Sequence, residues 1–339
     1  MRKKVAVVVL NWNGSTLIPH YLPTLLEHTD PELADVIEAD NGSTDDSLEI
    51  LARDYPRAVA LPLGSNLGFA AGYNRAIAEL EGYDYICLLN DDVLVTKGWL
   101  EPLVAFLDSH PEVVSVQPTI RWEREPERLE YAGALGGYMD RLGYPFCRGR
   151  LFSTLEEDRG QYGREPLPVF WTSGACMLCR REAYLAAGGL DETFVAHQEE
   201  IDLCWRWQAA GHDLYVIPES VVYHWGGKSL SADNPRKTFL NFRNNILMLR
   251  KNLPSRVLRS TLRKRWLLDH IAALHFLLCG HLGDARAVLR ARRELRELRK
   301  LRPAQSGGDP ERAYSRLYHR SILLEYHLRG HHTYDRLSP

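Results

Sequence analysis

An α/β fold, a mostly parallel mixed sheet flanked by helices with a helical C-terminal extension, is what this sequence predicts, and three observations predict it. Short apolar runs alternate with helical periodicity through the first two thirds of the chain. Several of those runs close on an acid or an amide, which puts polar chemistry at strand ends. From Pro235 onward the strand signals cease and only helical patterns remain.

The first strand is Val5 to Leu10, followed by a loop at Asn11 to Gly14 and a helix through Leu17 to Leu26. A second strand, Asp35 to Asp40, runs into Asn41-Gly42-Ser43-Thr44-Asp45-Asp46, and Ser43 or Thr44 is placed to cap the helix Ser47 to Asp54. A strand-loop-helix unit repeated in this way implies parallel pairing, with the working loops at the C-terminal ends of the strands. Gly64, Gly68 and Gly72 precede a helix through Arg75 to Leu80. Their spacing fits neither the dinucleotide nor the P-loop fingerprint, and it serves close approach of a ligand or tight helix packing equally well.

The central stretch is Cys87-Leu88-Leu89-Asn90-Asp91-Asp92-Val93-Leu94-Val95. It reads as a buried strand that carries carboxylates at its tip, with Asn90 and Asp92 projecting to one side of an extended chain. Hard oxygen ligands so spaced suit Mg2+ or Mn2+ carrying a diphosphate. An ordinary acidic turn has the same composition. A helix (Leu100 to Ser109) and a strand (Val113 to Gln117) follow, and Arg121 to Pro168, rich in Gly, Pro and charge, carries no clear period. Order returns with the strand ending at Cys179 and the helix Arg181 to Ala187. Glu199, Glu200 and Asp202 then open a helix, where dipole complementation alone would favour acids. The last strand, Leu214 to Ile217 and Val221 to Tyr223, delivers His224-Trp225-Gly226-Gly227-Lys228-Ser229. Beyond the boundary at residue 235, helices are expected over Phe239 to Leu249 and Val257 to Leu301, interrupted near Gly280 and Gly283. A linker at Pro303 to Pro310 and a final helix, Tyr314 to Leu328, complete the chain.

With 339 residues, 45% of them hydrophobic and 25% charged, disorder is excluded as the main state. The apolar run after Met1-Arg2-Lys3-Lys4 stops too soon for a secretion signal. Six cysteines follow no disulfide or zinc spacing. Cys176 and Cys179, three apart on a strand, face opposite ways and read as buried free thiols, so a reducing cytoplasm is the expected compartment. The net charge of -2 hides an asymmetry: residues 250 to 302 hold 15 Lys/Arg against 4 Asp/Glu, a basic segment on an acidic body. Nucleic acid is not the expected partner, since no recognised module accompanies the charge. With Trp266, Leu267, Leu268, Phe276 and Leu277 beside the arginines, the segment suits an anionic membrane surface, with helix packing or a homodimer as the alternative. Its most apolar part, Ile271 to Leu282, falls short of a membrane span.

In their order along the chain, Asn11-Trp12-Asn13-Gly14, Asp40-Asn41-Gly42-Ser43-Thr44-Asp45, Asn66-Leu67-Gly68-Phe69-Ala70-Ala71-Gly72, Asn90-Asp91-Asp92, Gly174-Ala175-Cys176-Met177, Glu199-Glu200-Ile201-Asp202-Leu203 and His224 closely resemble the family 2 glycosyltransferases of the A-type nucleotide-sugar fold, bacterial rhamnosyltransferase-like members above all. The resemblance covers about residues 4 to 250. It implies an inverting, metal-dependent transferase that uses a UDP- or dTDP-linked sugar donor and a hydroxyl of a glycan or lipid-linked acceptor. By the same resemblance Asp40 binds the pyrimidine, Asn11, Asn13, Asn66 and Gly68 line the nucleotide pocket with Asn90 and Asp91, and Asp92 with His224 holds Mg2+ or Mn2+. Glu200 matches the catalytic base and Glu199 falls on the acceptor side; Trp171 is read as an acceptor-stacking or core residue, core being the favoured reading. The family's usual Glu-Asp-x-Asp is Glu-Glu-x-Asp here, so either Glu200 reaches one methylene farther or Asp202 takes the role. A catalytically silent binding or scaffold protein of the same fold is the competing reading.

Overall fold

Val5 to Val8 are sealed from solvent on both faces of their strand, the mark of a central parallel strand. That strand, β1 (Val5–Asn11), pairs in parallel with β2 (Ala34–Asp40), β2 with β3 (Val59–Pro62), and on its other side with β4 (Tyr85–Leu89). The computed structural model describes residues 4–130, 132–226, 234–297 and 308–337. The linker Pro303 to Pro310 lies largely outside them, as do Gly227, Lys228 and Ser229.

Chain order explains how the sheet is built. Helices α1 (Ile18–His28), α2 (Ser47–Asp54) and α3 (Phe69–Glu79) connect the four parallel strands. The chain then turns at Asp91 and Asp92, leaves the centre of the sheet, and resumes as β5 (Val93–Val95) against the far strand β14 (Asp213–His224). After α4 (Glu101–Ser109) come β6 (Val113–Trp122) and β7 (Glu125–Leu129). Residues 137 to 155 form a small four-stranded antiparallel sheet, β8 (Gly137–Met139), β9 (Pro145–Cys147), β10 (Arg150–Leu151) and β11 (Thr154–Leu155), and β12 (Leu167–Pro168) then edges the main sheet. Next, β13 (Cys176–Arg180) runs antiparallel between β4 and β6, making the sheet mixed. Cys176 and Cys179 fall in the two separate core layers on either side of the sheet, and both are free thiols. Burial pushes both thiols well up.

The helices α5 (Arg181–Ala186) and α6 (Glu199–Ala210) precede β14, and α7 (Pro235–Asn252), α8 (Ser255–Leu278) and α9 (Leu282–Glu297) follow it, α8 and α9 meeting at Gly280 with φ +82. Instead of one closing helix over Tyr314 to Leu328, two short ones form, α10 (Pro310–Ser315) and α11 (Ile322–His327). The break is held by the small sheet: Tyr318 N–H donates to Met139 O at 2.8 Å and Ile322 N–H to Asp140 Oδ2 at 3.0 Å. Helix α2 likewise departs from expectation, since its N-cap position is Asp46 and no side chain caps it. Ser43 and Thr44 are engaged across the loop with Asn11 and Asn13 instead.

Candidate active site

Two sets of loops gather at the C-terminal ends of the strands. On one side, Asn11 and Asp40 stand opposite each other in the parallel register of β1 and β2. Asn11 Nδ2 donates to Asp40 Oδ1 at 3.2 Å, and Ser43 N–H donates to Asp40 Oδ2 at 3.1 Å. Each carboxylate oxygen keeps an accepting lone pair. Asn13 N–H donates to Ser43 Oγ at 2.9 Å, and Thr44 N–H to Asn13 Oδ1 at 2.8 Å. Asn41, which sequence reasoning left without a role, ties in the next loop: its Nδ2 donates to Asn66 Oδ1 at 3.3 Å and to Gly68 O at 3.1 Å, and it accepts from Leu67 N–H at 2.9 Å. Gly42 allows this closeness, because φ is +75 and a Cβ there would stand 2.5 Å from the Ser65 backbone. A cleft lined by Asn13, Thr16, Leu17, His20 and Trp225 opens beside the β1 loop.

The acidic stretch after β4 does not lie on an extended strand. Asp91 and Asp92 form a turn, so alternation along one strand does not bring Asn90 and Asp92 together. Pairing of β5 with β14 does: His224 sits opposite Val93, with its Nε2 3.0 Å from Asp92 Oδ1 and 3.4 Å from Asn90 Nδ2. The other ring nitrogen lies 3.4 Å from Glu130 Oε2, an ion-pair distance without a hydrogen bond. Burial disfavours a charged imidazole, but the fields of Glu130 and Asp92 outweigh it and raise His224 to about 10. Glu130 was not legible in sequence because it lies in the aperiodic stretch after Arg121.

Among the described residues, no group of three or more His, Cys, Asp or Glu side chains forms a ready metal cage. The donor set nevertheless fits a divalent cation that takes phosphate as its remaining ligands. Asp92 offers an oxygen donor and the Nε2 of His224 adjoins it, becoming a nitrogen donor once a cation displaces the proton that Asp92 and Glu130 favour on the ring.

On the opposite side stands the N-terminus of α6. Glu200 packs against Gly174, where a Cβ would sit 3.5 Å from its own, and Ala175 O accepts from Asn90 N–H at 3.0 Å. The segment 174–175 therefore links the two sets of loops. Glu200 Oε2 has no hydrogen-bond partner, and burial raises the carboxyl to about 7. Glu199, more deeply buried and beside Glu200, is pushed well above the carboxylate range. Asp202 is different. Its carboxylate accepts from Arg206 Nε at 2.9 Å, Lys251 Nζ at 2.7 Å and Asn252 Nδ2 at 2.8 Å, and it is fully buried. Held by two cations and an amide, it anchors α6 to α7 and is badly placed to take a proton.

The backbone leading into Glu199 is strained. Val195, His197 and Gln198 have φ of 66, 69 and 71, a region that residues with a Cβ rarely adopt. One side chain compensates: Asn244 Nδ2, on α7, donates to Phe194 O at 2.9 Å, Ala196 O at 2.7 Å and His197 O at 2.8 Å. Its neighbour Asn245 donates to Gln198 Oε1 at 3.2 Å. Trp171 lies in the core, with its indole N–H donating to Tyr138 O at 2.9 Å and its ring filling the space over Gly137, so it offers no stacking face at the surface.

Residues 6–185 match the family described as Glycosyl transferase family 2. An N-acetylglucosaminyl-diphospho-decaprenol L-rhamnosyltransferase of Mycobacterium tuberculosis (strain ATCC 25618 / H37Rv) is 28% identical over 250 residues, 69% of this chain and 80% of that protein. The pre-mycofactocin glycosyltransferase of Mycobacterium tuberculosis (strain CDC 1551 / Oshkosh) is 34% identical over 177 residues, 51% of this chain and 33% of that protein. Among solved structures, GalNAc-T7 with UDP, GalNAc and Mn2+ superposes with a TM-score of 0.54 at 14% identity, covering 83% of this chain and 58% of that one. The mannosyltransferase PcManGT from Pyrobaculum calidifontis, with GDP-Man and Mn2+, superposes with a TM-score of 0.52 at 15% identity over 90% of this chain and 78% of that one. These two likenesses establish a shared fold.

Proposed function

Since the chain belongs to glycosyl transferase family 2, we propose that it transfers a sugar, rhamnose being the first to try, from a nucleoside-diphosphate donor to a hydroxyl of a lipid-linked or glycan acceptor, with inversion. The observation that carries this reading is the convergence on one imidazole. Asp92 and Glu130, distant from His224 in sequence, flank its two ring nitrogens at 3.0 and 3.4 Å, at the strand ends where Asp40 also lies, with Glu200 on the first turn of α6 joined to them through residues 174–175.

In this proposal Asp40, with Asn11 and Asn13 around it, accepts the N3–H of the pyrimidine. Asn66 and Gly68 shape the wall of the nucleoside pocket, and Asn90 and Asp91 border the path of the diphosphate. Asp92 and His224 would hold Mg2+ or Mn2+, which when bound offsets charge on the departing diphosphate. Glu200 takes the proton from the acceptor hydroxyl, and that oxygen forms its bond to the anomeric carbon from the face opposite the nucleotide. The bond from that carbon to the diphosphate oxygen breaks, and its electron pair leaves with the nucleoside diphosphate. A base raised toward neutrality by burial suits this task, because it holds a proton well at the moment of transfer. Glu199 borders the acceptor, and Asp202 fixes the helix that carries both glutamates.

Calorimetry with UDP-, dTDP- and GDP-sugars in the presence of Mn2+ tests the donor side. Binding of a uridine or thymidine carrier by the native chain, lost in Asp92→Ala, is expected. Equal affinity of the variant would remove the metal-holding role, and no binding of any donor would remove the function.

A further inference from the structure

Helix α8 is turned the wrong way round for a helix of a water-facing domain. An amphipathic helix ordinarily buries its leucines and shows its charges. Here the face packed on the body carries Thr261, Arg265, Asp269 and Ala273, spaced four apart and buried. Arg265 and Asp269 pair within that face at 3.3 Å, and Arg292 of α9 closes on Asp269 at 3.0 Å. The opposite face shows Leu267, Ile271, Leu274 and Leu278, at i, i+4, i+7 and i+11, each more than half exposed. Trp266 and Leu277, about half exposed, widen this stripe.

The same outward face changes character along its length. Arg259, Arg263 and Lys264, all exposed and without an acidic partner among the described residues, stand on the turns before the apolar stripe. Asp269 is the one acid in α8, and it is buried. We propose that this face of α8 is a docking surface for an anionic lipid bilayer, the stripe from Leu267 to Leu278 entering the headgroup boundary while the basic turns hold lipid phosphates. Long basic side chains flanking an apolar stripe that includes a tryptophan are what such a boundary accommodates. No helix among the described residues is long and apolar enough to cross a membrane, so the contact is along the surface. Charge decides against a second copy of the chain as the occupant. Two such faces laid together, parallel or antiparallel, would offer no acid to Arg259, Arg263 and Lys264, whereas anionic headgroups offer one at every lipid. The surface does not depend on the transfer chemistry, and its failure would leave that reading untouched.

Flotation of the full chain with phosphatidylcholine vesicles, with and without a third of phosphatidylglycerol, is the test. Binding at least tenfold stronger to the anionic vesicles is expected, falling at least tenfold in high salt. The triple variant Leu267→Asn, Ile271→Asn, Leu274→Asn, which alters only exposed positions, should cut binding at least tenfold with an unchanged thermal melt. Arg259→Ala, Arg263→Ala, Lys264→Ala should abolish the preference for anionic lipid. Undiminished flotation of the apolar triple variant would overturn the proposal. So would failure of the native chain to float, including the case where light scattering finds a dimer that the apolar triple variant breaks, which would assign the face to a second copy.

Discussion

The two sides of the candidate site are built on opposite principles. The loops after β1, β2 and β3 are held by side chains at the strand ends or just past them: Asn11 bonds to Asp40, Asn13 to Ser43 and Thr44, and Asn41 to Asn66, Leu67 and Gly68. The loop before α6 has local side-chain support only at its start, where Asp191 accepts from the N–H and hydroxyl of Thr193. It spends strain at Val195, His197 and Gln198 and is held in place from α7, almost fifty residues later, by Asn244. Apart from glycines, the first side has one left-handed residue, Asn13 at φ 54, a conformation that asparagine tolerates, and suits a ligand that is only bound; three such residues in four, two of them Val and His, suit a group that must stand at one distance from a reacting atom.

Glu200→Gln strikes the second side directly and carries the largest expected effect, a loss of turnover of about 10²- to 10⁴-fold with donor affinity retained. Native turnover should also climb with pH through about 7, because the carboxyl, raised by burial beside Glu199, acts only when ionised. A flat profile from pH 5 to 9 would break the assignment of the base. Wild-type turnover in Glu200→Gln with none in Asp202→Asn would move the role to Asp202, against the geometry.

Asn244→Ala comes next. Releasing three carbonyls of a strained loop should lower kcat about 10- to 100-fold and cost about 2 kcal/mol of stability, with donor KM unchanged. If donor affinity falls instead and kcat holds, the two sides are not separable. Gly42→Ala is the matching change on the relaxed side. It forces a Cβ onto the Ser65 backbone, so weaker donor binding, a cost of about 1–3 kcal/mol and little change in kcat are expected.

The smallest effect concerns Glu38, buried on β2 with one oxygen unpartnered. Burial first, then Asp91 and Asp40, raises its carboxyl to about 8. Over pH 4.5 to 8 the folded chain keeps a proton that the unfolded chain has lost, so stability falls as pH rises across that window. Glu38→Gln should flatten that slope and gain on the order of 1 kcal/mol at pH 8, read from denaturant melts; an unaltered slope would show Glu38 ionised in the fold.

Much of this was legible. Apolar runs closing on Asn11, Asp40 and Asn90 announce strand ends, since a buried strand can carry polar groups only where it leaves the core. Glu130 and Asn244 were not legible, for different reasons. Glu130 lies where no period identifies an element. Asn244, in Arg243-Asn244-Asn245, looks like the wet face of an amphipathic helix, although all three residues are buried. Their burial is a tertiary fact, as is the outward turn of Leu267 to Leu278 on α8.

What the amino-acid order determined alone is the strands β1, β2, β4, β6, β13 and β14, the parallel beginning of the sheet and the acids at strand tips, because period and local polarity act over a few residues; β3 and the strands between Arg121 and Pro168 carried no such signal. The tertiary structure decided which acids meet. The pairing of β5 with β14 brings Asp92 to His224, the packing of α7 commits Asp202 to Lys251 and leaves Glu200 open, and the core takes Trp171. Those outcomes turn on register and on competition among distant groups for one another, which no local pattern encodes.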